Sequence, residues 1–208
     1  MNTKIYIIRH GESDFNANYM HLVGGRSSHS PLTIKGENQA KLLGEYLLNQ
    51  NITFDKVFSS TAVRAIDTAK ISLFISGYPL EEIVLSDKLL ELDQGDWVGK
   101  PRIEAYSSEN IKLMNSDPWN FAAPNGESQR QVEDRMLNFL YNNVLNRNYS
   151  SVAIYGHGMA FKCLTRGIMN LNPELTYKMV LDNTSITEFN YDNNKLNLIK
   201  WNDTTHLK

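Results

Sequence analysis

The 208-residue sequence contains one cysteine, Cys163. That excludes an intramolecular disulfide framework and most cysteine-based metal sites. It also lacks a basic block. Twenty-one Lys and Arg stand against twenty-three Asp and Glu, a formal net charge of −2, so neither nucleic acid nor an acidic membrane surface is an expected partner. No apolar run approaches the ~20 residues of a membrane span, and no long apolar stretch marks a signal peptide. The Gly-x-Ser-x-Gly elbow of serine hydrolases, the dinucleotide fingerprint and the P-loop are missing. So are repeats, low-complexity tracts and Pro/Gly/Ser-rich linkers. These absences leave a soluble, cytoplasmic protein of a single domain spanning 1–208, with 41% hydrophobic residues to build a core.

The mean hydropathy of −0.40 reflects scattered asparagines rather than charge blocks. Runs 4–8, 56–58, 83–85 and 151–155 read as buried strands, because apolar and β-branched residues leave them no polar face. Runs 185–191 and 196–201, flanking an Asn-Asn, read as a hairpin or edge pair. Helical spacing fills the gaps. Ala40, Leu43, Leu47 and Leu48 follow Thr33, a candidate N-cap. Ala62, Ala65, Ile66, Ala69 and Leu73 form a second set. A third comprises Val132, Met136, Phe139, Leu140 and Val144, with Ser128 and Gln131 spaced as a capping box. Another helix is expected from Gly158. Strands alternating with helices predict an α/β domain, a three-layer α/β/α sandwich with a mostly parallel sheet. Segment 99–125 carries three of the six prolines and reads as an insertion, or lid, folded over something.

The candidate chemistry lies where strands feed helices. Arg9-His10-Gly11 follows the first strand, Ser59-Ser60 the second with Arg64 soon after, and Gly156-His157-Gly158 follows the strand at 151–155. In a parallel α/β sheet these ends share one edge, where ligands bind. Helical side chains lean toward the helix N-terminus, so Arg64 can reach back to that edge. Two arginines match the oxygens of a phosphate dianion, and helix N-termini after Ser60 and His157 would add N–H donors. Histidine is a nucleophile or a donor near neutral pH.

The sequence Ile8-Arg9-His10-Gly11-Glu12-Ser13, then Asn16, then Pro31-Leu32-Thr33 with Gly36, Gln39 and Ala40, resembles the signature of the histidine phosphatase superfamily, the phosphoglycerate mutase-like proteins. The resemblance continues at Ser59-Ser60, Arg64-Ala65, Thr68-Ala69, Glu91, Gly95, Trp97, Gly99, Pro124-x-Gly126-Glu127-Ser128, His157-Gly158 and Asn183-x-Ser185-Ile186-Thr187. It implies a phosphoglycerate mutase-like fold. His10 would be the nucleophile that forms a phosphohistidine. Arg9, Arg64 and His157 would hold the phosphoryl oxygens, with Asn16 and Gly158 assisting. Glu91 would protonate the leaving alkoxide and then activate water. No metal or cofactor is needed, since fixed positive charge suits the loose transition state of phosphoryl transfer.

Two segments depart from the family pattern. Gly95-Asp96-Trp97-Val98-Gly99 lacks one acidic position, which leaves Asp93 and Asp96 as neighbours competing with Glu91 for the acid role. Residues 19–30 carry Gly24-Gly25-Arg26 and no Asp before Pro31, and are read as shaping the substrate mouth. Segment 99–125 offers Tyr106, Met114, Trp119 and Phe121, with Lys100, Arg102 and Lys112 its only cations. That composition favours phosphomonoester hydrolysis of a small phosphorylated metabolite. A phosphoglycerate mutase and a non-catalytic phosphate-binding module are the alternatives. Cys163 is expected in the core, His21 and His29 in loops, and His206–Lys208 in an exposed docking tail. Metal ligation by Glu91, Asp93 and Asp96 and a hydrolase pair of Ser59 or Ser60 with His157 are the minor readings. Nothing in the sequence bears on oligomeric state.

Overall fold

The computed structural model describes residues 2–208. Its six strands form one sheet in the order β3-β2-β4-β1-β5-β6, from β1 (Thr3–Arg9), β2 (Lys56–Ser60), β3 (Val84–Ser86), β4 (Ser151–Gly156), β5 (Ile186–Asp192) and β6 (Lys195–Asp203). β1, β2, β3 and β4 run parallel, while β5 pairs antiparallel with β1 and β6 with β5. The helices are α1 (Asp14–Asn18), α2 (Ile34–Asn49), α3 (Val63–Ser76), α4 (Arg102–Ala105), α5 (Ser108–Ser116), α6 (Gln129–Leu140) and α7 (Gly158–Met169). None is long and apolar enough to cross a membrane among the described residues.

Alternation along the central strands builds the layers. Ile5 and Ile7 of β1, Val152 and Ile154 of β4 and Phe58 of β2 enter one core, with Val132, Met136, Phe139, Phe161 and Leu164 of α6 and α7. Tyr6, Ile8, Ala153, Tyr155 and Val57 enter the other, against Leu43 and Leu47 of α2 and Ala69 and Leu73 of α3. Both faces of the sheet are covered, which is why these strands read as continuous apolar runs. Burying a Leu, Ile or Phe contributes roughly 1.5–3 kcal/mol, so the central strands fix the position of everything at their ends.

Local signals account for several boundaries. The Thr33 hydroxyl accepts from the Gly36 amide at the start of α2, and Ser128 and Gln131 cap α6 reciprocally. The hairpin turns at Asn193 and Asn194, with φ of 50° and 60°, the left-handed conformation that asparagine tolerates. Run 83–85 differs from expectation. β3 is the sheet's edge strand, and its Val84 and Leu85 are exposed. The third helical pattern also divides, since α6 gives way to a π-turn at Tyr141–Leu145. The C-terminal stretch is not an exposed tail: His206 is buried, with Nε2 3.0 Å from the Thr184 hydroxyl.

The N-terminus of α2 packs on the loop that follows β1. A Cβ on Gly36 would lie 2.0 Å from the Glu12 carbonyl oxygen, and one on Gly11 2.6 Å from the Gly36 carbonyl. Two glycines in mutual contact let this helix seat the loop carrying His10. Gly36→Ala is expected to cost about 1–3 kcal/mol, the usual penalty of overpacking. A lowered urea midpoint with an unchanged slope would register it.

Candidate active site

The C-terminal ends of β1, β2 and β4 open on a cavity of about 460 Å³. Arg9, His10, Asn16, Arg64 and Glu91 all line it. His10 is 4% exposed, and its Nδ1 lies 2.7 Å from the Gly11 carbonyl oxygen. A carbonyl only accepts, so Nδ1 carries the proton and Nε2 keeps the lone pair. Arg64 donates from Nε to that Nε2 at 3.1 Å. The His10 carbonyl accepts from the Asn183 side chain at 2.9 Å and from the Thr184 amide at 3.3 Å.

Arg64 is itself 4% exposed. Beyond His10 it donates to the Ser27 carbonyl (2.7 Å), the Arg26 carbonyl (3.1 Å) and Nδ1 of His157 (3.1 Å). Its pKa is lowered by burial to about 10, so it stays charged at neutral pH. Because His157 Nδ1 accepts from a guanidinium, its Nε2 carries the proton and donates to the Ser60 hydroxyl at 2.8 Å. His157 is fully buried and absent from the cavity wall, with its ring centroid 5.2 Å from that of His10. Ser60 is equally buried, so it orients the imidazole and presents no nucleophile to the cavity.

Arg9 lines the cavity, donates to the Leu181 carbonyl and has a buried Nε without a partner. Gly158 makes room for it, since a Cβ there would sit 3.3 Å from that Nε. Gly158 thus supports Arg9 and does not itself line the cavity. The Asn16 carbonyl oxygen accepts from the Ser13 amide, closing the capping box of α1. That leaves its NH₂ group for the cavity.

Glu91 corrects one expectation. Its Oε1 accepts from the Leu92 and Ala160 amides (2.9 and 2.8 Å) and its Oε2 from the Met159 amide (3.0 Å). The Met159 and Ala160 N–H groups of α7 are therefore taken by this carboxylate, which leaves the Gly158 N–H as the first-turn donor not directed at it. At α3, the Ala62 amide goes to the Ser60 hydroxyl and the Val63 amide to the Ser28 carbonyl.

The competing acids are engaged elsewhere. Asp93 accepts from the Gly95 amide and pairs with Arg26 at 3.3 Å, and Asp96 accepts from Asn125. The other carboxylate on the cavity, Glu127, pairs with Arg26 (3.2 Å) and Arg135 (2.9 Å). Among the described residues, no group of three or more His, Cys, Asp or Glu is arranged to hold a metal.

Residues 19–30 do shape the mouth, where Met20, Gly24, Gly25 and Ser27 line it. From segment 99–125, Tyr106, Met114 and Phe121 line the cavity, as does Arg102. Trp119 does not; it stacks under the Arg166 guanidinium, 4.6 Å from its ring centroid. Sequence reasoning missed Asn183 and Thr184 as holders of the His10 backbone, Arg135 as a partner of the Glu91 backbone, and Gln129 on the cavity wall.

A parallel sheet whose strand ends gather two guanidiniums, two imidazoles and a carboxylate around one cavity defines a phosphoryl-binding α/β protein. The model of the histidine phosphatase superfamily (branch 1) matches residues 5–204, and the chain belongs to that family. It is 28% identical to the putative phosphoserine phosphatase 2 of Hydrogenobacter thermophilus, covering 99% of this chain and 98% of that one. It is 31% identical to the probable phosphoglycerate mutase GpmB of Photorhabdus laumondii, over 98% and 94% of the two chains. Among solved structures, the phosphoserine phosphatase of Entamoeba histolytica in complex with 3-phosphoglyceric acid superposes with a TM-score of 0.82 at 27% identity. That match covers 99% of this chain and 100% of the other.

Both imidazoles are held neutral. Burial, then Arg64, then Arg9 push the His10 pKa well below its ordinary value. Burial, then Arg64, His10 and Arg9 do the same to His157. Between these lowered values and the unfolded value of about 6.5, the unfolded chain binds more protons than the folded one. Stability therefore rises with pH through that window and is lost as the pH falls below about 6.5. His157→Asn, with one such group fewer, is expected to lose less stability than the wild type between about pH 7.5 and pH 5.5. Urea denaturation at both values measures this, and equal losses would mean that the imidazole is not held neutral.

Proposed function

We propose that this chain hydrolyses phosphate monoesters of small metabolites through a phosphohistidine at His10, with Arg9, Arg64, His157 and Asn16 holding the phosphoryl group and Glu91 as acid and base. The observation that carries the reading is the His10 ring. Its proton is fixed on Nδ1 by the Gly11 carbonyl, and its Nε2 lone pair meets Arg64 on the wall of a cavity that also holds Arg9 and an unpaired carboxylate.

Each step follows from donors and lone pairs. An entering phosphoryl dianion offers the Arg64 guanidinium a stronger acceptor than the neutral imidazole. Arg64 Nε then turns to a phosphoryl oxygen and uncovers Nε2. The partnerless Arg9 Nε and the Asn16 NH₂ group supply further donors. His157 acts from behind Arg64, where its Nδ1 accepts from the guanidinium and helps to fix the plane that meets the phosphoryl oxygens. Nε2 of His10 attacks phosphorus as the P–O bond to the leaving group breaks, and the alkoxide takes its proton from Glu91. Oε1 of Glu91 already accepts two amides, while Oε2 accepts one. Oε2 therefore has the position free for proton exchange. Water then enters, loses a proton to Glu91 and attacks the phosphohistidine, releasing phosphate and restoring His10.

The mutase alternative needs a grip on the carboxylate of a sugar acid. Arg9 and Arg64 are committed to the phosphoryl group. The remaining cation on the cavity, Arg102, donates to the Leu22 carbonyl and packs 5.6 Å from the Tyr106 ring centroid. Tyr106, Met114 and Phe121 give that wall an apolar character, which supports hydrolysis and a lid role for residues 99–125. A cytoplasmic setting belongs to the same proposal. The single cysteine is buried and unpaired, and burial pushes its thiol up to about 12.

Release of p-nitrophenol from its phosphate ester in excess EDTA tests the reading. Wild type should turn over and His10→Ala should not. Comparable rates in both, or activity abolished by EDTA, would overturn it. Absence of turnover in the wild type would put 3-phosphoglycerate isomerisation next. Glu91→Gln should slow alkyl phosphates at least tenfold more than aryl phosphates, because only the poor leaving group needs the proton. Equal losses on both ester types would take the acid role from Glu91.

A further inference from the structure

We infer that Gln129 reads the leaving group, and that the substrate is a phosphate monoester whose alcohol carries a neutral donor–acceptor group, of the carboxamide kind, on an apolar body. The inference deepens the phosphatase reading and rests on it.

Gln129 is the first residue of α6, 1% exposed, and lines the same cavity as His10. Neither its amide nitrogen nor its amide oxygen has a hydrogen-bond partner. Buried polar side chains are nearly always paired, and leaving both ends of a carboxamide desolvated is costly. One other side chain on the cavity carries such an orphan, Arg9 at Nε, and the phosphoryl group accounts for that one. Nothing in the hydrolysis uses Gln129. The Tyr177 hydroxyl lies near it. Burial raises the Tyr177 pKa and the Gln129 amide opposes the rise, yet the pair falls outside hydrogen-bond geometry.

The surroundings select the ligand's chemistry. Tyr106, Met114, Phe121 and Met159 make much of the adjoining wall apolar. Glu127 is neutralised by two arginines, and Arg102 is tied to a carbonyl and an aromatic ring. The Gln129 amide is itself neutral, so the group it selects is a neutral donor–acceptor pair. A carboxamide sets an N–H donor beside a carbonyl acceptor, so its best partner is another amide-like edge, bonded twice.

The experiment compares kcat/KM for 4-carbamoylphenyl phosphate and 4-(methoxycarbonyl)phenyl phosphate, in wild type and Gln129→Leu. The two phenols are similarly activated, but the ester lacks the N–H donor. Wild type should prefer the carbamoyl compound by about tenfold or more. Gln129→Leu should bring the ratio close to one, with the carbamoyl compound losing more than the methyl ester. Should that variant fail to fold, Gln129→Met serves in its place. Equal wild-type rates, or a preference that survives the substitution, would overturn the inference alone. So would a variant that gains thermal stability with unchanged selectivity, since the amide then merely holds a bound water. No turnover of either ester by the wild type would overturn the phosphatase reading, and this inference with it.

Discussion

The site hangs on one guanidinium. Arg64 stands on the first turn of α3, almost wholly buried, and donates to His10, His157 and the carbonyls of Arg26 and Ser27. Those four acceptors belong to the loop after β1, the end of β4 and the segment forming the cavity mouth. A single charged group therefore fixes three chain segments far apart in sequence. Such a charge needs its hydrogen bonds, because burying it unpaired would cost several kcal/mol. Lysine could not replace it, since a point charge cannot serve four acceptors spread around a plane.

Gathering Arg9 and Arg64 in a buried pocket lowers both their pKa values and those of the two imidazoles beside them. The pocket is thus electrostatically strained, because burial and mutual repulsion both disfavour its positive charge. A phosphate dianion relieves each part of the strain. It gives Arg9 Nε the partner it lacks, takes Arg64 from the imidazole and supplies the charge that both guanidiniums want. Binding and nucleophile exposure become the same event, because the donor that caps Nε2 is the one the phosphoryl oxygen attracts. Residual strain at a functional site is a familiar trade against stability.

The features legible in the sequence are those that depend on period and position. Strands buried on both faces announced themselves by unbroken apolar runs, and that fixed which ends feed helices and hence where Arg9, His10 and Arg64 meet. Glu91 and Asn16 came from the resemblance, and the structure brings both to the cavity. What eluded the sequence depends on which partner wins a given donor. The Met159 and Ala160 N–H groups at the start of α7 look available for an anion until the Glu91 carboxylate is seen to occupy them. His157 stands behind Arg64 and not on the wall, a difference of depth that no linear pattern carries. The burial of Gln129 depends on tertiary packing, although its side chain alone reads as surface. The edge position of β3 likewise depends on strand order, so apolar residues there cannot reveal that they face solvent.

The carboxylate illustrates how a group is held still and kept free at once. Arg135 and Arg26 both donate to the Glu91 backbone carbonyl, at 3.1 and 3.5 Å, and Glu127 bridges these two arginines. Burial would raise the Glu127 pKa, but Arg135 and Arg26 outweigh it and hold that carboxyl below its ordinary range. The full charge of the network is therefore spent on the main chain of Glu91 and on Glu127. The oxygens of Glu91 accept hydrogen bonds from three amides, which orient them, while the charges of Arg9 and Arg64 act on them without a hydrogen bond. Separating the residue that bears the ion pairs from the residue that exchanges the proton lets one segment supply both rigidity and acid–base chemistry.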